Sequence, residues 1–407
     1  MSAVTDLFIE EAREVTVTEA ALSLGIPVTS KNYAGPCPSC GGTDRFSINP
    51  RMQAFNCRQC GGKGRDGIAL MALVSGHDVS TRPGLLAACA DALGKPVPDE
   101  HERETDEDRA ARIERIAERK RRNAERAAQS DEQQNAFRER EINQARGIYL
   151  GAGEDVGGVV SSYLNRRTGF TPAPEVFANL RFAARLTYWH GKDDRGFAAE
   201  RYCGPAMVAP IVNLDHRIIG CHQTWIDLDR GPKFRPDLGL DDKGQSLPTK
   251  KMRGVKKGGI IPLFGLMTSK RWVGGEGIEN GIAIAGAEGF RADTFYFAAG
   301  DIGNLAGPAE ASSNFKHPTI KKADVRGRER AVTIQGPEPR ADQRPDDAMP
   351  VPEHVESVVL LADGDSEIVF TAAAMARAEK RLAAEGRRVT TIWPPEGHDF
   401  ADCMTGA

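Results

Sequence analysis

Val358-Val359-Leu360-Leu361-Ala362-Asp363-Gly364-Asp365 decides how the chain is read. A short apolar run rich in β-branched residues is the pattern of a strand buried on both faces, as in a parallel sheet. It ends in two acids separated by one glycine. Ligands of open α/β sheets collect at the carboxyl ends of the strands, so Asp363 and Asp365 are expected to project toward one site. Two hard oxygen donors this close suit Mg²⁺. A surface turn is the competing reading, because Asp-Gly is common in turns.

The surrounding sequence repeats the pattern. Arg271-Trp272-Val273-Gly274-Gly275-Glu276 reads as a strand ending in an acid, followed by a helix over 278–287. Thr294 to Ala299 is a second strand, the 358–361 run a third, 371–384 a helix with Gly386 beyond it, and Arg388 to Trp393 a fourth strand. Glu276, Asp363, Asp365 and Asp399 thus each follow a strand of an alternating α/β block, where one site can gather them. Residues 308–353, rich in Pro, Asp, Arg and Glu, read as an irregular insertion.

Ahead of this block, 206–212 and 217–227 read as a hairpin turning at Asn213-Leu214-Asp215-His216. A glycine-spaced basic stretch follows, with Lys233, Arg235, Lys250, Lys251, Arg253, Lys256 and Lys257, ending at Ile260 to Gly265. Glycines let backbone amides approach phosphate and lysines neutralise it; a merely solubilising loop is the alternative.

Of eight cysteines, four stand in two knuckles, Cys37-Pro38-Ser39-Cys40 and Cys57-Arg58-Gln59-Cys60, each followed by Gly-Gly. The alternating stretches 45–49 and 53–56 between them read as a hairpin. Four thiolates on a two-knuckle ribbon form a closed structural Zn²⁺ site. Arg45, Arg51, Arg58, Lys63 and Arg65 beside Phe46 and Phe55 suit phosphate contact and base stacking, or equally a solvated face over a small core. Helices are expected within 6–24, over 66–75 and over 83–93. From 98 to 146 the sequence turns to Arg, Glu, Ala and Gln, a solvated helix or tether between two folded parts.

The whole chain bounds these readings. With 407 residues it holds two or three domains, and a net charge of −3 confines any nucleic-acid signal to local patches. It carries neither a targeting segment at its start nor an apolar run that spans a membrane, and its paired cysteines suit a reducing cytoplasm rather than a disulfide framework.

The acidic motifs resemble those of the Toprim domain, the metal-binding domain of primases, topoisomerases and some nucleases. Gly275-Glu276-Gly277-Ile278-Glu279 resembles its glutamate motif, Ala362-Asp363-Gly364-Asp365 its Asp-x-Asp motif, and Gly397-His398-Asp399-Phe400-Ala401-Asp402 its late acidic motif, with His398 and Ala401 where phage and plasmid members often carry Lys and Asn. The run from Cys37 to Phe46 is similar to the zinc ribbon that opens phage and plasmid primases, whereas cellular primases carry His in place of Cys40. Pro210-Ile211, Arg217 to Gly220, Lys251-Met252-Arg253-Gly254 and Pro262-Leu263-Phe264 resemble the basic subdomain that precedes Toprim in primases. His222-Gln223-Thr224 stands where related mobile-element proteins have His-Arg-Thr.

The resemblance implies an α+β zinc ribbon with helices at 1–97, a charged helical linker at 98–146, a mixed α+β basic subdomain at 147–268, and an α/β Toprim domain with a Rossmann-like, parallel four-stranded sheet at 269–407. It implies a DNA primase, a nucleotidyltransferase making short RNA primers on single-stranded DNA for a phage or other mobile element. Glu276, Asp363 and Asp365 would be catalytic, and with Asp399 would hold Mg²⁺, or Mn²⁺ in its place. Cys37, Cys40, Cys57 and Cys60 would hold Zn²⁺. Lys250, Lys251, Arg253, Lys256, Lys257, Arg45 and Arg58 would bind NTPs or DNA. With no Gly-x-x-x-x-Gly-Lys-Ser/Thr loop in the chain, unwinding would come from a separate helicase. A Toprim nuclease, or a non-enzymatic repair or recombination protein pairing Cys₄ with Toprim, is the alternative.

Overall fold

The computed structural model describes residues 3–99, 105–242, 244–323 and 329–406 and divides into two units, Met1–Ala136 and Phe137–Ala407. The opening of the charged run at 101–104 and part of the insertion at 324–328 lie outside the described residues.

The first unit begins with α1 (Ala3–Arg13) and α2 (Val17–Ser23), the second held at its start by a reciprocal Thr16–Glu19 capping box. A four-stranded antiparallel sheet follows in the order β1 (Tyr33–Cys37), β2 (Gly41–Asn49), β3 (Ala54–Cys57), β4 (Lys63–Gly64). Then come α3 (Gly67–Ser75), capped by Asp66 and stopped by left-handed Gly76, and α4 (Arg82–Leu93), capped by Thr81 and stopped by Gly94. Strand alternation turns Phe46 and Ile48 inward, and with Phe55, Leu70, Met71 and Val17 they form the core. Phe46 is fully buried and Phe55 is 3% exposed. Neither ring is available to stack on a base; a module this small uses both for its interior.

The charged run is a single helix, α5 (Asp106–Gly151), which starts inside the 98–146 segment and continues past its end. It is not a bare spacer. Within the first unit its Arg115, Lys120, Arg122 and Arg126 pair with Glu11, Glu10 and Glu19 of the opening segments at 3.5–3.7 Å. The pairs of Glu10 and Glu19, whose partners are exposed, contribute about 0–1 kcal/mol each, whereas Glu11 is buried. In the second unit Ile142, Ala145 and Tyr149 are buried.

The second unit continues with α6 (Val159–Thr168) and an antiparallel meander in the order β5 (Arg181–Lys192), β6 (Ala198–Val212), β7 (Ile218–Trp225), β8 (Lys250–Gly254). Next come β9 (Ile261–Phe264), β10 (Arg271–Gly275), α7 (Ile278–Ala287), β11 (Thr294–Ala298) and α8 (Ile302–Ala306). After these lie β12 (Phe315–Ala323), β13 (Glu329–Ile334), β14 (Ser357–Leu361), α9 (Ile368–Leu382), β15 (Arg388–Ile392) and α10 (Phe400–Thr405). The central sheet has the order β15-β14-β10-β11-β9. Its first four strands are parallel, as the sequence pattern suggested. The fifth corrects it: the run expected to close the basic subdomain is β9, an antiparallel edge paired to β11.

Val359 and Leu361 pack with Val273, Tyr296, Ile278 and Ile282 on one side; Val358 and Leu360 pack with Trp272, Phe295, Phe297 and Met375 on the other. Burial of both faces is why this strand reads as an unbroken apolar run. The insertion is not wholly irregular either: β12 and β13 pair as an antiparallel hairpin. Its prolines lie mostly outside the hairpin strands, leaving Val332, Thr333 and Ile334 free to pair. Among the described residues no helix is long and apolar enough to cross a membrane.

Candidate active site and metal centres

The acids meet where the strand order reverses. The chain runs from β10 outward to β11, then returns to place β14 on the other side of β10. The crevice at such a switch point is where open α/β sheets bind ligands. Glu276 leaves the end of β10 and Asp363 the end of β14. Missing side chains let these ends close up: a Cβ on Gly275 would lie 2.4 Å from the Leu361 carbonyl oxygen. Gly364 does the same for the third segment. A Cβ there would lie 2.5 Å from the His398 carbonyl oxygen and 2.8 Å from that of Pro395, and the Gly397 amide donates to the Gly364 carbonyl at 2.9 Å. The glycine between the two aspartates thus seats the loop that delivers Asp399.

Asp363, Asp365 and Asp399 each offer a carboxylate oxygen, all within 4.8 Å of one another. Burial, then the charges of Asp365 and Glu276, push the Asp363 carboxyl up to about 7. Burial and Asp301 raise Glu276, and burial raises Asp399. Arg167 approaches this wall, 3.7 Å from Asp399 and 3.2 Å from Asp402. Asp399 also caps α10 by accepting from the Asp402 amide at 2.7 Å. Clustered hard oxygens, with Asp363 and Asp399 raised first by burial and then by neighbouring carboxylates, are a donor set fit for a divalent cation such as Mg²⁺.

Facing the acids is a cationic wall. A cleft of about 180 Å³ is lined by Glu276, Asp363, Asp365 and Asp399, with Arg167 paired to Asp399, and by Lys233, Arg235 and Lys250. Glu279, 4% exposed, anchors that wall. It accepts from Lys250 Nζ at 2.8 Å, Arg235 Nη2 at 2.9 Å and the Tyr163 hydroxyl at 2.6 Å. Against the upward push of burial, the Lys250 ammonium and Arg235 guanidinium hold its carboxyl well below the usual range.

The basic residues expected to act together are separated by the pleat. Lys250 enters the cleft. Lys251, one residue on, points to the other face, over the Tyr188 ring at 3.7 Å. Arg253 pairs with Glu141 at 3.1 Å and Lys256 with Asp301 at 2.6 Å. The Asp347 carboxyl is lowered chiefly by the Arg344 amide, with Lys257 among the weaker charges that add to this. Arg167 and Tyr163 were not singled out from sequence, and Arg235 and Glu279 stood in the basic stretch and the glutamate motif without a role of their own. Only Glu279 left a local sign, an acid inside the apolar helix Ile278–Ala287.

His222, 6% exposed, lies behind the cationic wall. Burial, then Lys250, lower its pKa to about 3, with Glu279 opposing. Because the folded value lies below the unfolded value of 6.5, the neutral ring contributes stability that is complete above pH 6.5 and lost as pH falls toward 3. At pH 5 the expected loss is about 2 kcal/mol. Between pH 7 and pH 5 the change in urea-unfolding stability should be less favourable by about 2 kcal/mol in the native chain than in His222→Gln, the opposing response of Asp363 being common to both.

In the first unit the sulfurs of Cys37, Cys40, Cys57 and Cys60 lie within 4.8 Å of one another, with Cys40 and Cys57 at 3.6 Å. Sulfurs about 2.3 Å from a tetrahedral Zn²⁺ stand about 3.8 Å apart, so the group can hold zinc. Burial pushes the Cys37 thiol up to about 12. Cys57, also pushed up by burial, is drawn down to about 6 by the amides of Cys60 and Gln59. Arg58 donates to the Asp44 carbonyl at 2.7 Å; Arg45 is half-buried, with Nε and Nη1 lacking hydrogen-bond partners. Purified chain should carry one zinc, and Cys60→Ala should lower that stoichiometry by metal analysis and melt the first unit earlier. Structural zinc contributes on the order of 10 kcal/mol in small modules.

Residues 139–263 match a family described as a domain of unknown function, DUF7146. No curated protein matches the chain. Among solved structures, it is similar to a DnaG primase catalytic domain bound to single-stranded DNA, at 14% identity and TM-score 0.38, covering 67% of this chain and 78% of the other. It is also similar to the Escherichia coli primase catalytic core, at 14% identity and TM-score 0.36 over 65% and 75% of the two chains. The primase fragment of the bacteriophage T7 primase-helicase aligns at 12% identity and TM-score 0.27 over 92% and 94%. Superpositions this loose define no function.

Proposed function

We propose that this chain is a DNA primase that joins ribonucleotides into short primers on single-stranded DNA. The observation that carries the reading is the two-walled cleft, with four acids at the switch point of the sheet facing Lys233, Arg235 and Lys250. Asp363, Asp365 and Asp399 would hold Mg²⁺, or Mn²⁺ in its place, with Glu276 beside them in the cleft. When bound, the ion activates the attacking 3′-hydroxyl and steadies the α-phosphate and leaving pyrophosphate. Lys250 and Arg235, fixed by Glu279, neutralise the triphosphate from the opposite wall. Glu276, whose carboxyl is raised by burial, is suited to take the hydroxyl proton.

The Cys₄ module contacts template and helps select start sites, and a separate helicase supplies unwinding. The likeness of the Cys37–Phe46 run to phage and plasmid zinc ribbons supports a place in a mobile element's replication.

The test incubates the full chain with single-stranded DNA, Mg²⁺ and labelled NTPs. Short NTP-dependent oligonucleotides that need template support the reading. No product overturns it, and shortening of the DNA instead identifies a nuclease.

A further inference from the structure

The face of the β5–β8 sheet turned away from the acids carries a second feature. A cavity of about 600 Å³ opens there, lined by Arg185, Trp189, Gln223, Lys251 and Arg253, with Gln144 of α5. Strand alternation separates it from the cleft: His222 and Lys250 belong to the acid side, and their chain neighbours Gln223 and Lys251, register partners of each other, to this one.

The cavity has the parts that hold a nucleotide. Trp189 is 47% exposed, large enough to stack on a base and unused by the core. The backbone that carries it is fixed, because the Lys251 ammonium lies 3.7 Å over the neighbouring Tyr188 ring and donates to the Trp189 carbonyl. Arg185 is exposed beside it and, among the described residues, has no carboxylate partner. Gln223 is 4% exposed, and its amide nitrogen makes only a 3.5 Å contact to the Cys221 sulfur. A buried carboxamide at the wall of such a cavity offers both a donor and an acceptor to a base edge.

We infer that this pocket binds one nucleotide of a single strand, its base stacked on Trp189 and edged by Gln223, its phosphate on Arg185. The inference rests on the nucleic-acid reading above but places strand contact on the sheet face opposite the catalytic cleft. Base–aromatic stacking and an exposed guanidinium are the usual parts of single-strand binding.

The test measures affinity of the full-length chain for a fluorescent single-stranded oligonucleotide by anisotropy, without NTPs or divalent cation. Trp189→Ala and Arg185→Ala are each expected to weaken binding about tenfold, with an unchanged melting midpoint because both side chains are exposed. Trp189→Phe should restore most of the loss. A 5-iodouracil oligonucleotide should crosslink to the peptide containing Trp189, and excess ATP should not displace it.

Wild-type affinity in Trp189→Ala, crosslinks confined to residues 1–136, or displacement by ATP would overturn the inference. A chain that makes no primer yet shows these losses keeps the pocket and loses the primase reading. A chain that makes primers but binds normally without Trp189 does the reverse.

Discussion

Asp363→Ala is expected to remove templated primer synthesis while leaving the fold at least as stable. Asp363 ends the central strand beside Asp365, with Asp399 completing a set of oxygens within 4.8 Å. Losing one donor of a catalytic cation costs several kcal/mol of transition-state stabilisation, so the rate should fall by about a thousandfold or more. A folding defect would give the same loss, and stability separates the two. Burial and Asp365 push the native Asp363 carboxyl up to about 7 from 3.8. An acid whose folded pKa is raised destabilises the native state as pH climbs through that window. In chelator at pH 8, removing it relieves strain on the order of 1–2 kcal/mol after discounting for solvent contact. A variant that is inactive and melts no lower than wild type places Asp363 in the chemistry. A variant that retains activity removes this cleft as the reaction centre.

Glu279→Ala is expected to cost the second unit about 3–5 kcal/mol, the usual penalty for stripping one partner from a buried ion cluster. Lys250 and Arg235 would be left facing each other and the Tyr163 hydroxyl without the carboxylate that holds all three. Chemical denaturation measures the loss. Lys250→Met on the Glu279→Ala background should recover part of it, because the uncompensated ammonium is then gone. A single-variant loss below about 1 kcal/mol would show the cluster to be well solvated.

The parallel core was legible because a strand buried on both faces must be apolar throughout, and Val358 to Leu361 is. The Cys₄ site was legible because two knuckles have little else to do. Less could be read from the basic stretch, where composition gave the charge but not the pleat that sends Lys250 and Lys251 to opposite faces. Phe46 and Phe55 carried two readings at once, and only the packing of a small module chose the interior. β5 went unseen because Arg185, His190 and Gly191 break up its apolar residues, tolerable on a strand that is mostly half-buried or exposed. Arg167 and Tyr163 left no trace, since their partners Asp402 and Glu279 lie 235 and 116 residues away. Local pattern does not report contacts that only the finished topology creates.

Gly364 also limits how the sequence can be recombined. Any side chain there meets the carbonyls of Pro395 and His398, so residue 364 and the 394–398 loop must fit as a pair. A chimera that exchanges the end of β14 for a related segment has to import that loop with it. One that splits them inherits both acid motifs intact, yet sets Asp399 out of register with the pair it should join.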